Sequence, residues 1–166
     1  PDSIDVSAFG TDTICISNVH SLTAIATGGN GGYTYSWSNG VGSTAAVQVS
    51  PSVTTTYTVT ATDSLNCPVD IASVTVYVRD PLSTSMAEID TICPGETAYG
   101  QVNVQGGDGN YNYQWSQGVS SGNTVQATPS QSQWLYVTVS DQCGTSPVAV
   151  DSAWMQVGGY PAIQVA

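Results

Sequence analysis

Along much of the chain, apolar and polar residues alternate one for one. The segments "VHSLTAIAT" (19–27), "YTYSW" (33–37), "AVQV" (46–49), "TYTVTAT" (56–62) and "IASVTVYV" (71–78) place aliphatic or aromatic side chains at every second position. A period of two sends successive side chains to opposite faces, so each segment predicts a strand with one buried face. Clusters of Gly, Asn, Ser and Pro separate the segments, as turns require. No window of a dozen residues carries the stripe of an amphipathic helix. Short strands punctuated by turns in this way predict an all-β chain built as an antiparallel β-sandwich.

The pattern is written twice. "GGNGGYTYSW" (28–37) returns as "GGDGNYNYQW" (106–115), 78 positions on, and "DTIC" (12–15) returns as "DTIC" (90–93) at the same offset. Pro51 matches Pro129, and "YTVTATD" (57–63) matches "LYVTVSD" (135–141). A single offset predicts two tandem copies of one domain, residues 1–79 and 80–166, with the boundary in "VRDPLS" (78–83), where Pro81 interrupts the strand pattern. So short a linker predicts a semi-rigid arrangement in series. In each copy the aromatic row falls on one strand face: Tyr33, Tyr35 and Trp37, then Tyr111, Tyr113 and Trp115. Alternation assigns Trp37 and Trp115 to the two cores.

Charge narrows the function classes. Twelve acidic residues against one basic residue, Arg79, give a formal charge of −11. Such a surface repels phosphate backbones and anionic membrane surfaces, which excludes nucleic-acid binding and lipid docking. No apolar run is long enough to cross a bilayer. The chain opens on Pro1 with no signal peptide, and reads as a piece of a longer polypeptide.

Four cysteines form one matched pair per copy, Cys15 with Cys67 and Cys93 with Cys143, at separations of 52 and 50 residues. The expectation is one disulfide per domain, each contributing about 4 kcal/mol in the chain-entropy model. Pairing between copies is an alternative. A four-cysteine zinc site is another, although the close Cys-x-x-Cys pairs of such sites are missing.

The residues "GGNGGYTYSWSNG", "PSVTTTYTVTATDSLNC" and "ASVTVYV" resemble the PKD-like and Ig-like repeats of Bacteroidetes cell-surface proteins, gliding-motility adhesins among them. The resemblance covers most of the first copy and weakens after Val125. It implies two tandem Ig/PKD-like sandwiches of a secreted, non-catalytic kind on the bacterial cell surface. It also gives meaning to Asp followed by Ser or Thr and an aliphatic residue, a pattern like the O-glycosylation signal of that phylum. Glycans would then sit on Ser3, Thr13, Ser64, Thr91 and Ser152. The other reading is that Asp-Ser and Asp-Thr open turns at strand ends.

Catalytic constellations are missing. The single histidine, His20, aligns with Ala98, and no nucleophile elbow, phosphate loop or zinc-helix motif occurs. Calcium remains an open ligand class, with Asp12, Asp63, Asp90 and Asp141 as candidate carboxylates; the alternative is that they cap turns. The residues that are not repeated matter more. Trp134 aligns with Thr56, and Trp154 falls near Thr75 or Val76. With Leu135, Val137 and Val139 inward, and Ala153, Met155 and Val157 inward, Trp134, Tyr136 and Trp154 face out together. Asn112 and Gln114 on an adjoining strand would add amides. Flat aromatics beside amides suit sugars or a protein surface.

The sequence therefore predicts a spacer or presentation module of a large surface adhesin, in series with flanking repeats of the same polypeptide. The alternative is an accessory polysaccharide-binding module of a secreted enzyme, acting through the aromatic patch; a surface polysaccharide or another surface protein would be the partner.

Overall fold

The computed structural model describes residues 3–65, 70–143 and 148–158. The chain divides into two compact units, residues 1–80 and 81–166. The first holds β1 (Asp5–Phe9), β2 (Asp12–Ile14), β3 (His20–Thr27), β4 (Thr34–Trp37), β5 (Ala46–Val49), β6 (Thr55–Thr62) and β7 (Asp70–Val78). One sheet runs β1-β3-β5 and the other β2-β7-β6-β4. All pairs are antiparallel except β2 with β7, whose register sets Ile14 beside Val78. Two antiparallel sheets, with the first strands divided between them, give the Ig-type sandwich.

Alternation explains what fills the space between the sheets. Leu22 and Ala24 of β3, Val47 and Val49 of β5, Val59 and Ala61 of β6, and Val74 and Val76 of β7 are all buried in one cluster. The threonines between them face water, where a β-branched side chain still favours the pleat. Trp37 is 4 % exposed, and its indole N–H donates to the Thr44 carbonyl at 3.0 Å.

The second unit holds β8 (Ser83–Met86), β9 (Ala98–Gln105), β10 (Asn112–Trp115), β11 (Val119–Ser121), β12 (Thr124–Ala127), β13 (Gln133–Ser140) and β14 (Ala149–Met155). Its sheets run β11-β12-β9-β8 and β10-β13-β14. Strands β9, β10, β12 and β13 each begin 78 positions after β3, β4, β5 and β6. In place of β2 there is a single parallel bridge, Ile92 to Val157. β11 is an addition, since the corresponding stretch of the first unit carries no strand. The core falls into two clusters, one around Leu135 and Met155 and one around Val102, Val137 and Val139; Trp115 and Met86 pack against both. Trp115 is half-buried, as befits a side chain between two smaller clusters.

The expected disulfides require correction. Cys15 and Cys143 are disulfide-bonded while Cys93 is a free thiol. The pairing Cys93–Cys143 is therefore set aside; the pairing Cys15–Cys67 falls on Cys67, which lies outside the described residues. The physical reason is visible in the second unit. Cys93 follows Ile92, which bonds Gln156 and Gly158 just past β14, beside the first residue of β13. Cys143 follows the last residue of β13, a strand of 8 residues. A strand that long spans roughly 25 Å, whereas a disulfide needs Cα atoms within about 7 Å.

Candidate functional site

The glycine-aromatic stretches at 28–37 and 106–115 prove to be structural. The Asp63 carboxylate is 4 % exposed and accepts the N–H groups of Asn30 and Leu65, both at 3.0 Å. In the second unit Asp141 accepts those of Asp108 at 3.0 Å and Cys143 at 3.1 Å. Each carboxylate presses on a glycine in the left-handed region, Gly29 (φ +56°) and Gly107 (φ +64°), where a Cβ would lie 2.8 and 2.2 Å from a carboxylate oxygen. Glycine is thus required twice over, by backbone angle and by space. The tyrosine hydroxyls then donate back across the turn, Tyr33 to the Gly28 carbonyl and Tyr111 to that of Gly106 at 2.6 Å. The Trp115 indole donates to the Gly122 carbonyl at 3.1 Å, as Trp37 does in its own unit.

What differs between the copies is the outer face of β13 and β14. In the first unit Thr56 stands opposite Thr75, hydroxyl to hydroxyl at 2.9 Å. In the second, Trp134 occupies the place of Thr56 and stands opposite Trp154, rings edge-on with centroids 5.3 Å apart. Tyr136 extends the row, 6.4 Å from Trp134. The three are 50, 47 and 41 % exposed in the order Trp134, Tyr136, Trp154. Beside them opens a groove of about 410 Å³ lined by Met86, Glu88, Ile89, Ser152 and Gln156 together with the two tryptophans. Gln156 accepts the Trp154 indole N–H at 3.0 Å and fixes that ring.

The amides expected to border this patch stand farther off. Gln114 pairs with Thr138 and Asn112 with Ser140, two and four residues beyond Tyr136 along β13. The nearer polar groups are Glu88, Ser152 and Gln156 in the groove, and Gln117, whose amide donates to the Trp134 carbonyl at 3.4 Å. They come from loops and strand ends, where period-two reasoning gives no face.

The carboxylates considered for calcium are dispersed. Asp63 and Asp141 direct their oxygens at turn N–H groups, as described. Asp12 lies 3.8 Å from the His20 imidazole, whose other nitrogen donates to the Gly10 carbonyl at 2.8 Å, and Asp90 is exposed. Among the described residues no group of three or more His, Cys, Asp or Glu side chains is placed to hold a metal ion. Of the residues considered for glycans, Ser3, Thr13, Ser64 and Thr91 are exposed, and Ser152 is half-buried in the groove.

Two aspartates not singled out in the sequence fasten the first strand of each unit to the last. Asp70 on β7 accepts the Val6 N–H at 2.9 Å, and Asp151 on β14 accepts that of Met86 at 2.7 Å. The N–H groups of Val6 and, next, Ile71 stabilise the ionised form and hold the Asp70 carboxyl below its ordinary value of 3.8.

Comparison with known proteins agrees with this picture. The SprB repeat family matches residues 11–42 and 101–120. No curated protein matches the chain. Among solved structures, the three N-terminal domains of the bacteriophage RB49 Highly Immunogenic Outer Capsid protein (Hoc) are similar at TM-score 0.59 and 15 % identity, over 95 % of this chain and 59 % of that one. An I-band fragment of titin aligns at TM-score 0.46 and 8 % identity, over 97 % and 66 % of the two chains. Extracellular domains 3–5 of Drosophila OTK align at 0.43 and 13 %, over 95 % and 62 %. The chain spans between 59 and 66 % of the length of these chains. Among the described residues no helix is long and apolar enough to cross a membrane. The chain is thus an all-β protein of two Ig-type sandwich units, with stretches similar to the SprB repeat family at residues 11–42 and 101–120.

Proposed function

We propose that the chain is a spacer and presentation segment of a large adhesin outside the bacterial cell, residues 1–79 and 80–166 serving as two repeats in series with flanking repeats of the same polypeptide. The parallel pairing of an N-terminal strand with the last strand carries this reading. In the first unit Thr13 and Ile14 lie beside Tyr77 and Val78, and the Arg79 N–H donates to the Ile14 carbonyl at 3.0 Å. In the second, Ile92 takes the same place with bonds of 3.0 Å to Gln156 and 2.9 Å to Gly158. Tension along the polypeptide pulls two such strands in opposite directions along one axis, so their evenly spaced bonds are loaded together. The acidic exterior, with net charge −11, supports solubility of a long array.

Single-molecule extension tests the reading, with reductant present so that no disulfide carries the tension. Two unfolding events are expected, each releasing on the order of 250 Å. Ile14→Pro, which removes an N–H from the β2–β7 ladder, lowers the force of one event and leaves the other unchanged. Equal forces in the variant and the parent would refute the shear argument.

A second reading has its own observation, the exchange of the Thr56–Thr75 pair for Trp134–Trp154. Stacked indoles beside Glu88, Ser152 and Gln156 suit an uncharged polysaccharide, since the acidic surface disfavours an anionic one. Binding of neutral polysaccharides that is lost in Trp134→Ala with folding unchanged supports this reading. Equal retention of parent and variant on such a matrix counts against it.

A further inference from the structure

The groove beside β13 and β14 combines aromatic faces, apolar walls and a carboxylate. Trp134 and Trp154 stand at 64° to each other with ring centroids 5.3 Å apart, so they form a corner and not a flat platform. Both rings are partly exposed, and the Trp154 indole N–H is already given to Gln156 Oε1 at 3.0 Å. What that ring still offers a ligand is its π surface, whose face is the negative pole of the ring. Met86 and Ile89 add apolar walls, and Glu88 adds a carboxylate in the same groove. The unit has no cation of its own to occupy it. Residues 81–166 carry six acidic side chains, Glu88, Asp90, Glu96, Asp108, Asp141 and Asp151, and no Lys, Arg or His.

We propose that this groove binds a quaternary ammonium cation of the choline class. Such a cation is attracted to the face of Trp or Tyr within about 6 Å of the ring centroid, and a rounded trimethylammonium group fits a corner between two rings. It has no N–H to satisfy and presents methyl groups, which suit Met86 and Ile89. A lysine-type ammonium is strongly hydrated and loses more on leaving water. A metal ion needs several oxygen ligands, and among the described residues no three metal-binding side chains converge. A phosphate joined to the cation would face Glu88 and the acidic unit, so the ligand is a free cation and not a phosphocholine headgroup. The first unit, with the Thr56–Thr75 pair in the same place, lacks the site. This inference goes beyond the polysaccharide reading and needs neither that reading nor the spacer reading to hold.

The test titrates the full chain, nitrogen-labelled for amide and indole NMR, with choline chloride exchanged for sodium chloride at constant ionic strength. Four tryptophans give four indole N–H signals. Those of Trp134 and Trp154 should shift saturably, with Kd on the order of 1–10 mM for a ligand of so few atoms. Those of Trp37 and Trp115, which donate to the carbonyls of Thr44 and Gly122, should stay in place. The uncharged isostere of choline, with carbon in place of nitrogen, should bind about tenfold more weakly, since two rings each favour the charge. Phosphocholine should also bind more weakly than choline. Trp154→Thr should abolish binding. Glu88→Gln, a change at an exposed side chain, should weaken it about threefold and leave the rings in place. Absence of saturation up to about 100 mM choline, an isostere or phosphocholine as tight as choline, an unchanged affinity in Glu88→Gln, or binding that survives Trp154→Thr would each overturn the proposal. Retention on a neutral polysaccharide is measured apart, so a failure here leaves that reading standing, and the reverse.

Discussion

Replacing Asp63 by alanine removes the acceptor at the centre of the first glycine turn. The side chain is 4 % exposed and receives two backbone N–H groups at 3.0 Å, from Asn30 and Leu65, with the Asn30 side-chain amide at 3.3 Å. Hydrogen bonds to a charged acceptor contribute about 1.5–3 kcal/mol each, and buried donors left without a partner keep their desolvation cost. Two backbone donors orphaned together give an expected loss of about 3–5 kcal/mol. A unit of this size has on the order of 4–12 kcal/mol of stability in total, so at about 4–8 °C per kcal/mol its melting temperature should fall by roughly 12–40 °C. Asp63→Asn keeps one acceptor oxygen in place and should lose about half as much. Amide hydrogen exchange read peptide by peptide locates the effect: protection should collapse within residues 20–62 and persist within 98–140, and Asp141→Ala should reverse the pattern. A loss below about 1 kcal/mol, or an Asn variant as weak as the Ala variant, would refute the view that this carboxylate organises the turn.

Other outcomes follow from the same geometry. Cys93→Ser should leave thermal stability within about 0.5 kcal/mol of the parent, because the thiol is free; a loss near 4 kcal/mol would restore a bridge internal to the copy. Asp70, held below its ordinary value of 3.8 by the N–H groups of Val6 and Ile71, contributes stability that is present above that value and lost as pH falls through the depressed one. Urea unfolding across acidic pH should therefore show the gap between the parent and Asp70→Asn narrowing below 3.8, and a constant gap would contradict the assignment. Replacing Trp154 by threonine, which rebuilds the pairing chemistry of the first unit, should leave the fold intact and remove only the aromatic groove; a shift in melting temperature above a few degrees would show the ring to be structural.

Much of this architecture was legible in the sequence because a strand's side-chain period is fixed by its backbone. Once Val59, Ala61 and their counterparts Val137 and Val139 were placed inward, the outward faces of Trp134 and Tyr136 followed. The 78-residue offset carried the assignment from one unit to the other. Contacts between strands distant in sequence were not legible. β2 has three residues and pairs in parallel with the far end of β7, so nothing local announces it. The Asp70–Val6 bond spans 64 positions. The pairing of Cys93 with Cys143 failed for a related reason: equal spacing in two copies records that the copies are alike, but not which end of a sandwich each thiol occupies. Asn112 and Gln114 were placed on the right strand and the right face, yet too far along it to meet the aromatic row.

All of these expectations assume that each copy of the repeat closes its own core, without help from the other. Expressing residues 1–80 and 81–166 as separate chains addresses this directly, with reductant present so that no cysteine pairing assists. Each fragment should give a dispersed amide spectrum and a single cooperative melt, with slow exchange at Leu22, Val59 and Val76 in one and at Val102, Leu135 and Val137 in the other. A collapsed spectrum from either fragment, recovering its dispersion only when the two are joined, would contradict the account.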